Sequence, residues 1–161
     1  MIVPANFIEG CDIPQADNLQ RVRKVIDVVA QGVSNADKVA EKTKISPRHV
    51  AYMLNAAKVL GFVTREEGFS LTEQGRAIAA TPVDSEAERV CIREAYERSE
   101  VLRRLAPGLF SKRAPSLSVI ANHIEEFGRL SRATAERRAQ TLLSWRTQVL
   151  DPQPSLLAAS K

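Results

Sequence analysis

Apolar residues recur three and four apart along most of this chain, the spacing of helices that each bury a single stripe. Leu19, Val22, Ile26 and Val29 mark a first helix, opened by Asp17 and Gln20 as a capping box and stopped at Gly32. A shorter helix, capped by Ser34, turns Ala36, Val39 and Ala40 inward and ends in the turn Lys44-Ile45. Ser46-Pro47 then gives a strong start signal. The serine hydroxyl satisfies free N–H groups, and the fixed φ of proline suits the first helical position. Val50, Leu54, Ala57 and Leu60 form the buried stripe of this third helix, and Gly61 ends it. Here the period changes. The triplets Phe62-Val63-Thr64 and Phe69-Ser70-Leu71 flank Arg65–Gly68 and predict a small hairpin. Thr72 caps a short helix from Glu73 to Ala80, which Thr81-Pro82 stops.

The second half is helical throughout. Ser85 and Glu88 form another capping box and open a long helix to about Leu105, with Ala87, Val90, Cys91, Ala95, Leu102 and Leu105 on its inner face. Ala106 to Pro115 is a loop. Leu117, Ile120, Ile124 and Phe127 share one side of the next helix, which Gly128 stops, and a last helix runs from Ser131 to about Leu150. Residues 1–16, with short apolar patches at Ile2-Val3 and Phe7-Ile8, form an arm; residues 151–161 form a flexible tail.

One unit occurs twice. When Ser46 is set on Ser131, an offset of 85 residues, the stripe Val50, Leu54, Ala57, Leu60 falls on Ala135, Ala139, Leu142, Trp145. Each serine follows an aliphatic residue, Ile45 or Leu130, and each pair follows a short amphipathic helix. The expected fold is mainly α, with two helix-turn-helix units joined by a long helix. The first, residues 17–83, is a winged helix with the hairpin as wing. The second occupies residues 84–150 with the linker helix.

Composition agrees: aromatic residues make up 5% of the chain, few for a sheet-rich fold. The net charge of +4 is modest, but its distribution is uneven. Residues 1–83 carry 10 basic and 9 acidic side chains, residues 84–100 carry 3 and 6, and residues 101–150 carry 9 and 3. Positive charge gathered in one module is the footprint of an anionic partner.

The side chains opposite the buried stripes are the candidate contacts. In the first unit they are Arg48, His49, Tyr52 and Asn55, with Lys58 beyond. In the second they are Arg132, Thr134, Arg137, Gln140 and Thr141, with Arg138 at the margin. Tyr52 aligns with Arg137 and Asn55 with Gln140. Arginine pairs bidentately with guanine, and asparagine or glutamine with adenine, so these types suit readout of double-stranded DNA in a major groove. A solvated polar face is the plainer reading of the same residues. Arg65 lies at the wing tip beside Glu66 and Glu67, which oppose a phosphate contact. Arg103, Arg104, Lys112 and Arg113 flank the loop and either steer a phosphate backbone or simply face water.

Other chemistry is sparse. Cys11 and Cys91 stand apart without CxxC spacing, so reduced thiols are expected rather than a disulfide framework or a zinc site. His49 and His123 have no partners at metal-ligand spacing, and Trp145 belongs to a buried stripe. No glycine-rich phosphate loop, HExxH or Ser/His/Asp set occurs, so neither catalysis nor a cofactor is expected. The segment MIVPANFIEGCDIP has no basic start or long apolar run, and no stretch has the length of a membrane span; a cytoplasmic protein is expected.

The runs ISPRHVAYMLNAAKVLGFV and LTEQGRAIAA resemble the winged-helix modules of restriction endonucleases and other bacterial phage-defence proteins, and SRATAERRAQTLLSW looks like a second module that accompanies the first. The resemblance covers residues 18–150 and rests on pattern rather than close identity. It implies sequence recognition of DNA, as the specificity part or regulator of a restriction system whose nuclease lies elsewhere. Similar winged helices also regulate ABC-type ATPases by contacting protein. Docking on a nuclease or ATPase therefore remains the alternative, a ligand-responsive repressor a third reading, and a homodimer stays open.

Overall fold

Ten regular elements follow one another in the computed structural model, which describes residues 7–152. They are α1 (Leu19–Ala30), α2 (Ala36–Thr43), α3 (Pro47–Val59), β1 (Val63–Arg65), β2 (Phe69–Leu71), α4 (Glu73–Ala79), α5 (Glu86–Arg98), α6 (Glu100–Leu105), α7 (Leu117–Gly128) and α8 (Arg132–Leu150). The protein is mainly helical, with a two-stranded antiparallel hairpin pairing Val63 with Leu71 and Arg65 with Phe69. Ile2-Val3 of the expected arm and residues 153–161 of the expected tail lie outside the described residues.

Four of the anticipated caps form as expected. Ser46, Thr72, Ser85 and Ser131 accept hydrogen bonds from the backbone N–H groups of His49, Gly75, Glu88 and Thr134. Two caps move by one residue. Asn18, not Asp17, accepts from the Arg21 N–H, and Asn35, not Ser34, accepts from Asp37 and Lys38. Asparagine is as good a cap as serine or aspartate, and both displaced residues have long-range partners. Asp17 receives the Thr141 hydroxyl, and the Ser34 carbonyl accepts from the Phe69 N–H at 2.9 Å, fastening the hairpin to the α1–α2 turn.

The expected long linker helix is two helices. Ser99 adopts an extended conformation (φ −87°, ψ 108°), closes α5 and caps α6 through the Leu102 N–H. The inner face of α5 also differs from expectation: Ala87 is exposed, while Glu88, Ile92, Ala95 and Tyr96 are buried. The Tyr96 hydroxyl donates to the Ala106 carbonyl and accepts from the Leu109 N–H, which holds the following loop against α5. Burial pushes the Tyr96 phenol above its ordinary pKa.

The repeat seen in the sequence is a repeat of structure. Lys44 (φ 61°) and Arg129 (φ 53°) both adopt the left-handed conformation as C-caps, each followed by a half-buried aliphatic and a serine cap. All eight stripe residues, Val50, Leu54, Ala57 and Leu60 with Ala135, Ala139, Leu142 and Trp145, are buried. The pairs α2–α3 and α7–α8 therefore share one turn chemistry and one packing register.

The arm joins the halves. Ile8, Ile13 and Ala16 are buried, the 3-10 turn Gly10–Asp12 packs on α3, and the Ile8 N–H donates to the Phe127 carbonyl at 2.8 Å. The Trp145 indole N–H donates to the Ala16 carbonyl at 2.7 Å. Gly128 is the last residue of α7, ahead of the left-handed Arg129. A Cβ at Gly128 would stand 2.6 Å from Ile13 Cδ1, so the absence of a side chain makes room for the arm. Gly75 is more constrained still, since its Cβ would meet the Phe62 carbonyl oxygen at 2.0 Å where α4 crosses the foot of the hairpin. Buried apolar residues from Ile8 to Val149 form one core.

Candidate nucleic-acid interface

Because Val50, Leu54 and Ala57 point into the core, helical geometry turns Arg48, His49, Tyr52, Asn55 and Lys58 toward the other side of α3. Arg48 and His49 are exposed; Tyr52 and Asn55 are half-buried. Arg48 Nε donates to the Tyr52 hydroxyl at 2.9 Å, and its guanidinium carbon lies 5.7 Å from the ring centre. That hydrogen bond, with the nearby phenol, raises the Arg48 pKa further. His49 Nδ1 is 2.6 Å from Ser46 Oγ, and its ring meets Tyr52 edge-on.

On α8, Arg137 and Gln140 are exposed, and Arg137 Nη2 donates to Thr134 Oγ1 at 3.2 Å. Thr134 itself is half-buried and accepts from the Ser131 hydroxyl. Three other candidates are engaged by the protein. Arg132 bonds Glu136 (3.0 Å), Glu125 (3.2 Å), Asn122 (2.6 Å) and Ser118 (3.3 Å), and the Glu136 hydrogen bond leads the raising of its pKa. Arg138 donates to the carbonyls of Gly10 and Ile13 at 3.2 and 3.1 Å, and burial lowers its pKa. Thr141 is buried and donates to Asp17 Oδ1 at 2.5 Å. Its hydroxyl is spent on holding the arm. The 85-residue offset contained the signal, for it sets Arg138 on Met53 and Thr141 on Ala56, both buried.

The N-terminal end of α3 and the outward side of α8 border one cleft. Arg48 lines it from α3; Arg137, Arg138, Gln140 and Thr141 line it from α8. Gln15 and Asp17 of the arm and Ser144 complete the lining, and none of these three was legible as a site residue. His49, Tyr52, Asn55, Arg132 and Thr134 lie outside that lining. Three guanidiniums thus stand against one carboxylate in that lining; Arg138 and Asp17 are each hydrogen-bonded within the protein, to the Gly10 and Ile13 carbonyls and to the Thr141 hydroxyl.

Residues 21–153 match the family described as a domain of unknown function, DUF7226. The chain belongs to that family. No curated protein and no solved structure matches it. The matched stretch takes in both helix pairs and every candidate contact on α3 and α8, whereas Gln15 and Asp17 precede it.

Elsewhere on the surface, Arg65 packs 5.2 Å from the centre of the Phe69 ring, with Glu66 and Glu67 exposed beside it. Arg146 Nη1 donates to the Leu109 and Ser111 carbonyls at 2.8 and 2.7 Å and so holds the loop before α7 in place. Arg104 pairs with Glu100, while Lys112 and Arg113 are exposed. Among the described residues no three His, Cys, Asp or Glu side chains gather at metal-binding distance, and no helix is long and apolar enough to cross a membrane.

Proposed function

We propose that this protein binds double-stranded DNA through two helix-turn-helix units. The α2–α3 pair, with β1–β2 as its wing, forms one, and α7–α8 forms the other. The reading rests on one observation above all: Arg48 of α3 and the outward side of α8 border one cleft, where Arg48, Arg137 and Arg138 outnumber the carboxylate of Asp17 among the described residues. Arginine and glutamine are the side chains that contact phosphates and base edges in pairs of hydrogen bonds. Arg137 and Gln140 are unburied and stand one turn apart on α8, so both reach the same ligand surface. Of the ten candidates, Arg48, Arg137 and Gln140 carry the proposal, with Tyr52, whose hydroxyl holds Arg48, and Asn55 secondary. By its resemblance to phage-defence modules, the protein supplies recognition or regulation to a restriction system whose nuclease is a separate chain.

The test is fluorescence anisotropy of a labelled pool of random duplexes. Expected is binding at 50 mM salt that weakens about 3.5-fold per phosphate contact on going to 200 mM, the consequence of counterion release. No anisotropy change at 50 mM salt with tens of micromolar protein would remove the proposal.

A further inference from the structure

We infer that the cleft between α3 and α8 seats one sugar–phosphate strand, so that the two helices approach a single stretch of duplex from either side of its backbone. The inference rests on the duplex-DNA reading and adds to it a geometry. Two helices that read successive major grooves on one face of DNA must stand about 34 Å apart. Arg48 of α3 instead lines the same cleft, of about 580 Å³, as Arg137, Arg138 and Gln140 of α8. Nor can both helices lie side by side in one groove, because a groove about 12 Å wide admits a single helix of roughly 10–12 Å diameter.

What remains is the ridge between grooves, which is convex, narrow and anionic. The cleft complements it in each respect. It is concave, and its lining sets three guanidiniums against one carboxylate. Its walls are held before any ligand arrives: Arg48 by the Tyr52 hydroxyl, Arg137 by Thr134, Arg138 by the Gly10 and Ile13 carbonyls, and Asp17 by Thr141. Arg138 and Thr141 therefore serve the cleft by fixing its floor to the arm, while Arg48 and Arg137 stand exposed at its edges to bind phosphate oxygens of the same strand. Site length follows directly. A strand crossing one cleft needs less than a helical turn of DNA, whereas two successive grooves need about 10 base pairs between contact centres and flanks besides.

The experiment measures affinity and salt slope of the full chain on random duplexes of 8, 12, 16 and 20 base pairs. The proteins compared are wild type, Arg48→Ala, Arg137→Ala and the double variant, with circular dichroism as the control for folding. Expected is near-full affinity per site already at 8 base pairs, with each substitution lowering the salt slope by about 1 and the double by about 2 on that shortest duplex. Affinity that climbs more than tenfold between 8 and 16 base pairs would overturn the inference but spare duplex binding. So would an Arg48→Ala effect that appears only on the longer duplexes. No binding at any length would overturn both.

Discussion

Arg23 of α1 places Nη1 2.6 Å from Glu88 Oε2 of α5, and the two side chains are only 4% and 8% exposed. Its Nη2 donates to the Ala79 and Thr81 carbonyls at 3.2 and 2.6 Å, and its Nε bonds Asp27 at 2.8 Å. One guanidinium therefore closes the C-terminal end of α4 and ties α1 to the start of α5.

Breaking such a pair strands a charge away from water, so Arg23→Ala should cost about 3–5 kcal/mol of stability. Replacing both partners, as in Arg23→Met with Glu88→Met, should recover part of that loss: the buried Glu88 charge is no longer stranded, while Asp27 and the Ala79 and Thr81 carbonyls still lose their donor. Urea unfolding of the two variants checks this; equal losses would mean the hydrogen bonds to Asp27 and the carbonyls, rather than the pairing with Glu88, account for the cost.

Thr141→Val separates scaffolding from contact. The buried hydroxyl gives up its bond to Asp17, at a cost of about 1–2 kcal/mol. Duplex affinity should stay within twofold of wild type. A tenfold weakening of binding without loss of stability would restore Thr141 to the interface.

Arg137→Ala should weaken duplex binding severalfold at low salt, the loss of one charge-assisted phosphate contact, and weaken it alike on every sequence. Arg98→Ala, an exposed position near the end of the acidic α5, should change it less than twofold. Anisotropy titrations at one fixed salt concentration decide between them, and equal effects would leave α8 no special role.

The two thiols should differ in reactivity. Cys11 is exposed, whereas burial, then the nearby Glu94, push the Cys91 thiol above its ordinary range. A raised folded-state pKa means the unfolded chain releases this proton first, so the contribution of Cys91 to stability falls as pH rises through the ordinary thiol range near 8.5. Alkylation followed by mass spectrometry should label Cys11 first, with Cys91 following only at higher pH.

Several features of the fold were written into short stretches of chain. Ser46-Pro47 opens α3 and Ser131 opens α8 because a hydroxyl cap needs only its neighbours three residues on. The stripes of those helices were legible because burial of one face imposes a period of its own. Less legible was the bend at Ser99, which divides the helical pattern in two although Leu102 and Leu105 beyond it are buried as their spacing predicts. Glu88 looked like half of a capping box, and its Oε1 does accept from the Asp84 N–H at 3.3 Å, but its partnership with Arg23 spans 65 residues. Likewise Arg132 and Arg138 carry the residue type of a DNA contact, and only Glu125, Glu136 and the arm carbonyls reveal what each guanidinium holds.

Local order in this molecule, its caps, periods and the doubled turn around Lys44 and Arg129, follows from interactions between residues a few positions apart, and those can be read along the chain. Which outward side chains stay exposed was decided by packing: the arm crosses from α7 to α3, engages Arg138 and Thr141, and leaves Arg48, Arg137 and Gln140 exposed around one cleft. A hydrogen bond such as that between Thr141 and Asp17 joins residues 124 apart, and no periodicity encodes a partner so distant.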